Sequence, residues 1–188
     1  MRIVDQPFAG IMVLEPKRFT DNRGFFLESF EKERYREAGI TEDFVQDNHS
    51  RSIKNVLRGL HFTRNKPQAQ LLTVIRGKIF DVVVDIRQGS PTYGQWFGTE
   101  LGDEGPRQIY MVHGFAHGFC VLSDVADLHY KVNQRYDPID DGGLCWNDPT
   151  VGIIWPIKDP VISKRDRDHP FLLGIKPLLV NLDTGVFT

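Results

Sequence analysis

KIFDVVVDIR, residues 78–87, reads as a β-strand on its period alone. Phe80, Val82, Val84 and Ile86 share one face, while Asp81, Asp85 and Arg87 share the other. That alternation predicts a half-buried strand with one apolar and one wetted side. Working outward, the same period of two recurs. In DLHYKVNQRY (127–136), Leu128, Tyr130 and Val132 fall together, opposite His129, Lys131 and Asn133. HGFCVL (117–122) groups His117 with Phe119 and Val121, and QLLTVIRG, RQIYMV and GIIWPI add short β-branched or aromatic runs. Turn-forming stretches separate them: TDNRG, RQGSPTYG, GDEGP, DPIDDGG and NDPTVG. Short strands at such spacing predict an antiparallel sandwich or barrel. A helix is expected at EKERYREAG, with Gly39 as its stop. The last thirty residues, with ISKRDRDHP, are expected to be irregular or helical and to pack outside the main sheet.

Bulk properties exclude several classes. The 188 residues suffice for one domain, 1–188, with a real core. The chain is 40% hydrophobic and 26% charged, with formal net charge −2, so nothing favours nucleic acid or an anionic membrane as partner. No apolar run approaches the roughly 20 residues needed to span a bilayer. MRIVDQPFAG lacks the apolar core of a signal peptide. Cys120 and Cys145 are too few for a disulfide framework and lack metal-ligand spacing, so they read as reduced core residues of a cytoplasmic protein.

VLRGLHF (56–62) raises a question of orientation. Residues three apart on a regular strand point to opposite faces, so Arg58 and His61 would part company. A bulge at Gly59 would let both reach one cavity. Polar residues expected to face inward accumulate around this pair: Tyr130, His117, and Gln46 and Asn48 in FVQDNHS. Taken singly, each has a bland reading: a satisfied core histidine, a tyrosine with a bonded hydroxyl, an arginine paired to a carboxylate. Burying all of them for stability alone is costly, so their joint occurrence points to a binding cavity. An interior of His, Tyr, Arg, Gln and Asn with few acids suits a neutral or anionic ligand. A metal reading would use His61, His113 and His117. It is disfavoured because Gly114 interrupts the spacing and neither an H-x-H pair nor a completing glutamate is present.

Together, RGFFLESF, FVQDNHS, NVLRGLHF, GKIFDVVVDIR, GSPTYG, GFAHGF, a YK dipeptide before Y-x-P, and WNDPTVGIIWP resemble the dTDP-4-dehydrorhamnose 3,5-epimerase family over residues 3 to 170. The resemblance implies a mainly β cupin-type jelly roll or antiparallel β-sandwich with a few short helices. It implies a homodimer, without cofactor or metal, inverting carbons beside the ketone of a nucleotide-linked 4-keto-6-deoxy sugar. On it, His61 matches the base and Tyr130 the proton donor. Asp166, otherwise readable as a solvated turn charge, matches the carboxylate that pairs with the base. Arg23 and Arg58 match groups that grip the diphosphate. Phe19, Glu28, Gln46 and Asn48 match positions around the nucleotide, some of them supplied by a second subunit. His117 and Tyr136 match pocket residues.

The chain also departs from the family pattern. Gln70 stands where a lysine is usual, Thr63 where a glutamine is, Asp141 for glutamate and Arg165 for lysine, and Val112 and His113 are unusual before GFAHGF. A cation near a developing enolate oxygen stabilises it more than a neutral amide does. The expected activity is therefore inversion at C3 and C5 of dTDP-4-dehydro-6-deoxy-D-glucose. The alternatives are a C3- or C5-only epimerase on another nucleotide sugar, or a non-catalytic nucleotide-sugar binder.

Overall fold

The computed structural model describes residues 1–66 and 68–179. Among them the chain forms β1 (Arg2–Asp5), β2 (Ile11–Glu15), β3 (Arg18–Asp21) and β4 (Gly24–Leu27), then helix α1 (Lys32–Glu37). There follow β5 (Gln46–Ile53), β6 (Leu57–Thr63), β7 (Gln70–Arg76), β8 (Lys78–Asp85) and β9 (Trp96–Gly102). The last elements are β10 (Gln108–Met111), β11 (Phe115–Val121), β12 (Val125–Val132), β13 (Asp141–Gly143) and the one-turn α2 (Lys164–Arg167), with a 3-10 turn at Leu172–Gly174. Six strands order as β1-β2-β10-β7-β12-β5 and five as β13-β6-β11-β8-β9. The registers within both sheets are antiparallel. The strand β3 and β4 pair separately as a hairpin. The mainly β sandwich with few short helices is thus what the sequence forms.

Three apolar layers hold it. Between the sheets, Leu72, Val74, Ile109 and Leu128 meet Ile79, Val83, Phe119 and Val121. Outside the five-stranded sheet, Leu60, Val82, Val84 and Ile86 are roofed by Leu172, Ile175 and Leu178 of the C-terminal segment. Outside the six-stranded sheet, Leu14, Leu71 and Tyr110 are covered by Tyr35 of α1 and by Ile40. The helix behaves as its sequence suggests: the Glu31 side chain caps its N-terminus, and Gly39 follows it at φ 93°.

Two expectations need correction. The strand β8 is not half-buried. It is flanked by β11 and β9 and covered on both faces, and Asp81 and Asp85 are 0% exposed. The face read as wetted is in fact the sandwich interior, because the C-terminal segment claims the Val82, Val84, Ile86 face. There Asp85 is neutralised by Arg87, itself buried, through Nε–Oδ1 3.0 Å and NH2–Oδ2 2.6 Å. GIIWPI forms no strand. Its alternation is real, since Ile153 and Trp155 pack inward while Ile154 is exposed. The segment lies against a sheet already covered on that side instead of extending its edge, and Pro156 could not donate to a ladder.

Candidate active site

Strand β6 answers the orientation question. His61 pairs with His117 and Arg58 with Phe119 across to β11, so Gly59 and Leu60 together oppose the single residue Gly118. This bulge puts Leu60 on the outer layer and turns both Arg58 and His61 into the sandwich. Gly59 makes it possible: its φ is 117°, and a Cβ there would lie 2.6 Å from the Gly118 Cα.

The resulting cavity, about 440 Å³, opens between the two sheets. Arg58, His61 and His117 line it from the five-stranded sheet; Gln46, Asn48, Gln70 and Tyr130 line it from the six-stranded sheet. Tyr136, Asp141 and Arg165 close its rim. His61 and Tyr130 therefore stand on opposite walls.

Each wall is braced. His61 Nε2 lies 2.9 Å from Asp166 Oδ1, and the Gly59 N–H donates to Asp166 Oδ2 at 3.2 Å. Asp166 is carried by α2, whose cap Ser163 accepts from the Asp166 N–H at 3.0 Å. Burial acts to raise the Asp166 carboxyl. The hydrogen bond and charge of His61, the Gly59 N–H and the Ser163 hydroxyl outweigh it and hold the group at about 2. The carboxylate is thus fixed in its charged form and positioned to stabilise an imidazolium. With Nε2 engaged, Nδ1 is the ring nitrogen left to accept a proton.

On the opposite wall, burial raises the Tyr130 phenol above its ordinary value, against a smaller pull from the Arg58 charge. It stays protonated at neutral pH and makes no side-chain hydrogen bond among the described residues. His117 is tethered in turn, Nε2 to Asp81 Oδ2 at 2.8 Å. Arg58 is aimed by Ser52, whose Oγ accepts from its Nε at 2.9 Å. Gln46 donates to Asn48 at 2.8 Å and Gln70 to Gln68 at 3.1 Å, so these amides are held in pairs. At the rim, Arg165 pairs with Asp141 at 2.5 Å.

Three expected site residues lie elsewhere. Phe19 and Arg23 sit on the β3–β4 hairpin, where Arg23 pairs with Asp21 at 2.6 Å, and Glu28 pairs with Arg34 at 2.5 Å. None of the three lines the cavity. His113 does not line it either, so the His61, His113, His117 set is not assembled. Two neighbours of the cavity histidines escaped the sequence: buried Asp81, assigned to the wet face, and the partly buried His169. The second left one trace, a histidine three residues beyond Asp166 in RDRDHP. Its ring packs edge-on to His61 with centroids 5.7 Å apart, and burial lowers its pKa below the ordinary histidine value.

Comparison with known proteins agrees with this geometry. The family model described as dTDP-4-dehydrorhamnose 3,5-epimerase matches residues 5–173. The chain is 47% identical over 170 residues to the dTDP-4-dehydrorhamnose 3,5-epimerase of Methanothermobacter thermautotrophicus, covering 89% of this chain and 92% of that protein. It is 42% identical to the dTDP-4-dehydrorhamnose 3-epimerase of Streptomyces niveus, over 89% of this chain and 82% of the other. Among solved structures, dTDP-6-deoxy-D-glucose-3,5-epimerase from Legionella pneumophila, in complex with dTDP-4-keto-L-rhamnose, superposes with TM-score 0.90 at 46% identity. That match covers 93% of this chain and 94% of that one.

Proposed function

The chain belongs to the dTDP-4-dehydrorhamnose 3,5-epimerase family, and we propose that His61 and Tyr130 carry its reaction from opposite walls of the cavity. The activity is that of a dTDP-4-dehydrorhamnose 3,5-epimerase, an isomerase. It converts dTDP-4-dehydro-6-deoxy-D-glucose to dTDP-4-dehydro-L-rhamnose. A hydrogen beside a ketone is acidic enough for a placed histidine to remove, provided the enolate is stabilised. His61 Nδ1 takes the proton, and Asp166 bears the charge left on the ring. Tyr130 returns a proton to the same carbon from the facing sheet, which inverts it. The observation that carries this reading is the placement of a carboxylate-paired histidine and an unbonded phenol on facing sheets of one cavity.

The remaining polar groups divide the substrate between them. Arg58 and Arg23 grip the diphosphate by charge-assisted hydrogen bonds. His117, Tyr136, Asp141 and Arg165 contact the sugar end, while Gln70 offers the enolate oxygen a neutral donor. Gln46 and Asn48 hold the nucleotide. Phe19, Arg23 and Glu28 lie off this chain's own cavity, and the β3–β4 hairpin exposes Phe19, Phe25 and Phe26. Both facts support a homodimer in which these three residues serve the second subunit's site. We read residues 1–188 as one domain acting in the cytoplasm without metal or cofactor. No helix of the described residues is long and apolar enough to cross a membrane.

A single-carbon reading has one observation in its favour: Gln70 puts a neutral amide, not a cation, in the cavity. The two readings separate in D₂O. Incubated with dTDP-4-keto-6-deoxyglucose and followed by NMR, a 3,5-epimerase labels C3 and C5, and a monoepimerase labels one. No label at either carbon, with binding retained, overturns both and leaves a binding protein.

A further inference from the structure

We propose that His61, Asp166 and His169 form a binding site for a zinc-class divalent cation, and that filling it shuts down the proton transfer. The inhibition rests on His61 being the base; the binding does not.

His169 is the unexplained member of this group. Its Nε2 is buried and has no hydrogen-bond partner among the described residues, a costly state for an imidazole nitrogen. It points at Asp166 Oδ1 from 3.7 Å, too far for a hydrogen bond. The ring cannot swing freely to find another partner, because it lies flat against the Gly143 backbone: a Cβ on Gly143 would fall 2.2 Å from His169 Nε2.

The donor set is complete as it stands. One nitrogen of each histidine and one carboxylate oxygen of Asp166 lie within 4.8 Å of one another, and Asp166 Oδ1 is 2.9 Å from His61 Nε2 and 3.7 Å from His169 Nε2. A cation bonded at about 2.0–2.2 Å needs donors roughly 3–4 Å apart, so small ring rotations close the set. Two imidazoles and one carboxylate suit zinc, cobalt or nickel, and do not suit magnesium or calcium, which want oxygens. The competing positive charge nearby is already engaged, since the Arg165 guanidinium is held by Asp141.

Access exists from two sides. His61 is 38% exposed toward the substrate cavity. His169 also lines a second cleft, shared with Cys145, Asp168 and Phe171. A cation arriving there would take His61 Nε2 and Asp166 Oδ1 from each other. The ring, ligated through Nε2, would carry its one hydrogen on Nδ1 and have no lone pair there to take the substrate proton, and its countercharge would be spent on the metal.

The test uses EDTA-treated protein, titrated with cobalt and separately with zinc. Cobalt is expected to give visible absorption of low-symmetry coordination that saturates at one equivalent. Micromolar zinc should slow deuterium wash-in to the 4-keto sugar, and EDTA should restore it. His169→Ala should keep wash-in without metal while losing the cobalt band. It should also need at least about tenfold more zinc for half-inhibition. His169→Gln, which keeps the bulk against Gly143, serves if the alanine variant folds poorly. Absence of cobalt and zinc binding below millimolar, or variants that bind and are inhibited like the parent, overturns the site. If EDTA-treated parent shows no wash-in at all, the epimerase reading falls, while the cobalt titration still decides the cation site.

Discussion

His61 and His117 are direct cross-strand partners on β6 and β11, and each is tethered through Nε2 to an aspartate buried behind it. Asp166 holds the first and Asp81 the second, so two imidazoles face one cavity with the same ring nitrogen turned away from it. The two aspartates are not equivalent. Asp166 also accepts the N–H of Gly59, whereas Asp81 Oδ1 has no partner among the described residues. The pair at His61 is therefore the more tightly oriented, which suits the base proposed for it.

That bidentate acceptance makes Asp166→Asn informative. A carboxylate accepts from both the His61 ring and the Gly59 N–H; an amide has one oxygen and must turn its NH₂ toward one of these donors. The variant is expected to lose about 10²–10⁴-fold in kcat, as the base loses both tautomer and countercharge. Stability should follow pH with a defined sign. Asp166 sits at about 2 when folded, against 3.8 ordinarily, so its contribution is full above about pH 4 and fades as pH falls toward 2. On the order of 2 kcal/mol is at stake. Urea unfolding of parent and variant should differ at pH 7 and converge near pH 2; a gap independent of pH would contradict the assignment.

Tyr130→Phe separates proton removal from inversion. The proposed base, His61, is untouched on the other wall, so deuterium should still exchange into the substrate by return to the same face. Inverted product should fall by about 10²–10⁴-fold, the usual worth of a positioned acid. NMR in D₂O reads both at once. Equal loss of exchange and inversion would place Tyr130 in the abstraction step instead.

Much of this site was legible before the structure because strands expose their period. His117, Tyr130, Arg58 and His61 sit in runs whose neighbours declare the inward face, and Gly59 flagged the bulge that β6 needs. What the period could not say is which face of a strand is wet. Asp81 and Asp85 alternate correctly with valines, but a C-terminal segment far along the chain covers the valine face and leaves the aspartates inside. His169 was illegible for a related reason: its partners are His61 and Gly143, brought together by packing. Phe19, Arg23 and Glu28 were recognisable by pattern alone, and none of the three lines this chain's own cavity.

Gly59→Ala tests the bulge itself. The added Cβ would meet Gly118 Cα at 2.6 Å and His117 O at 2.7 Å, both backbone atoms of the neighbouring strand that cannot step aside. At φ 117° the alanine is also strained whatever the space. A loss of about 2 kcal/mol or more in denaturant unfolding is expected. A larger fall in kcat than in substrate affinity should accompany it, because Arg58 and His61 would no longer turn inward together. Wild-type stability and turnover would show that β6 can reach the same geometry without glycine.

Arg87→Ala tests the buried pair on the face that was read as wet. The guanidinium spans both Asp85 oxygens, donates to the Ala9 carbonyl at 2.9 Å and lies 4.3 Å from the Phe115 ring centroid. Ser90 and Thr92 also donate to Asp85 Oδ2, each at 2.6 Å, but two hydroxyls cannot neutralise a carboxylate that is 0% exposed. In the parent, burial pushes the Asp85 carboxyl up, and Arg87 with the two hydroxyls brings it below its ordinary value. Removing the cation should cost about 3–5 kcal/mol at neutral pH. It also reverses the direction of the shift: burial then dominates, Asp85 takes up a proton more readily in the folded state than in the unfolded one, and the variant gains stability relative to the parent as pH falls. Unfolding midpoints measured between pH 7 and pH 4 should therefore draw together. A deficit that stayed constant over that range would mean the loss comes from the packing of Arg87 on Phe115 and not from the charge of Asp85.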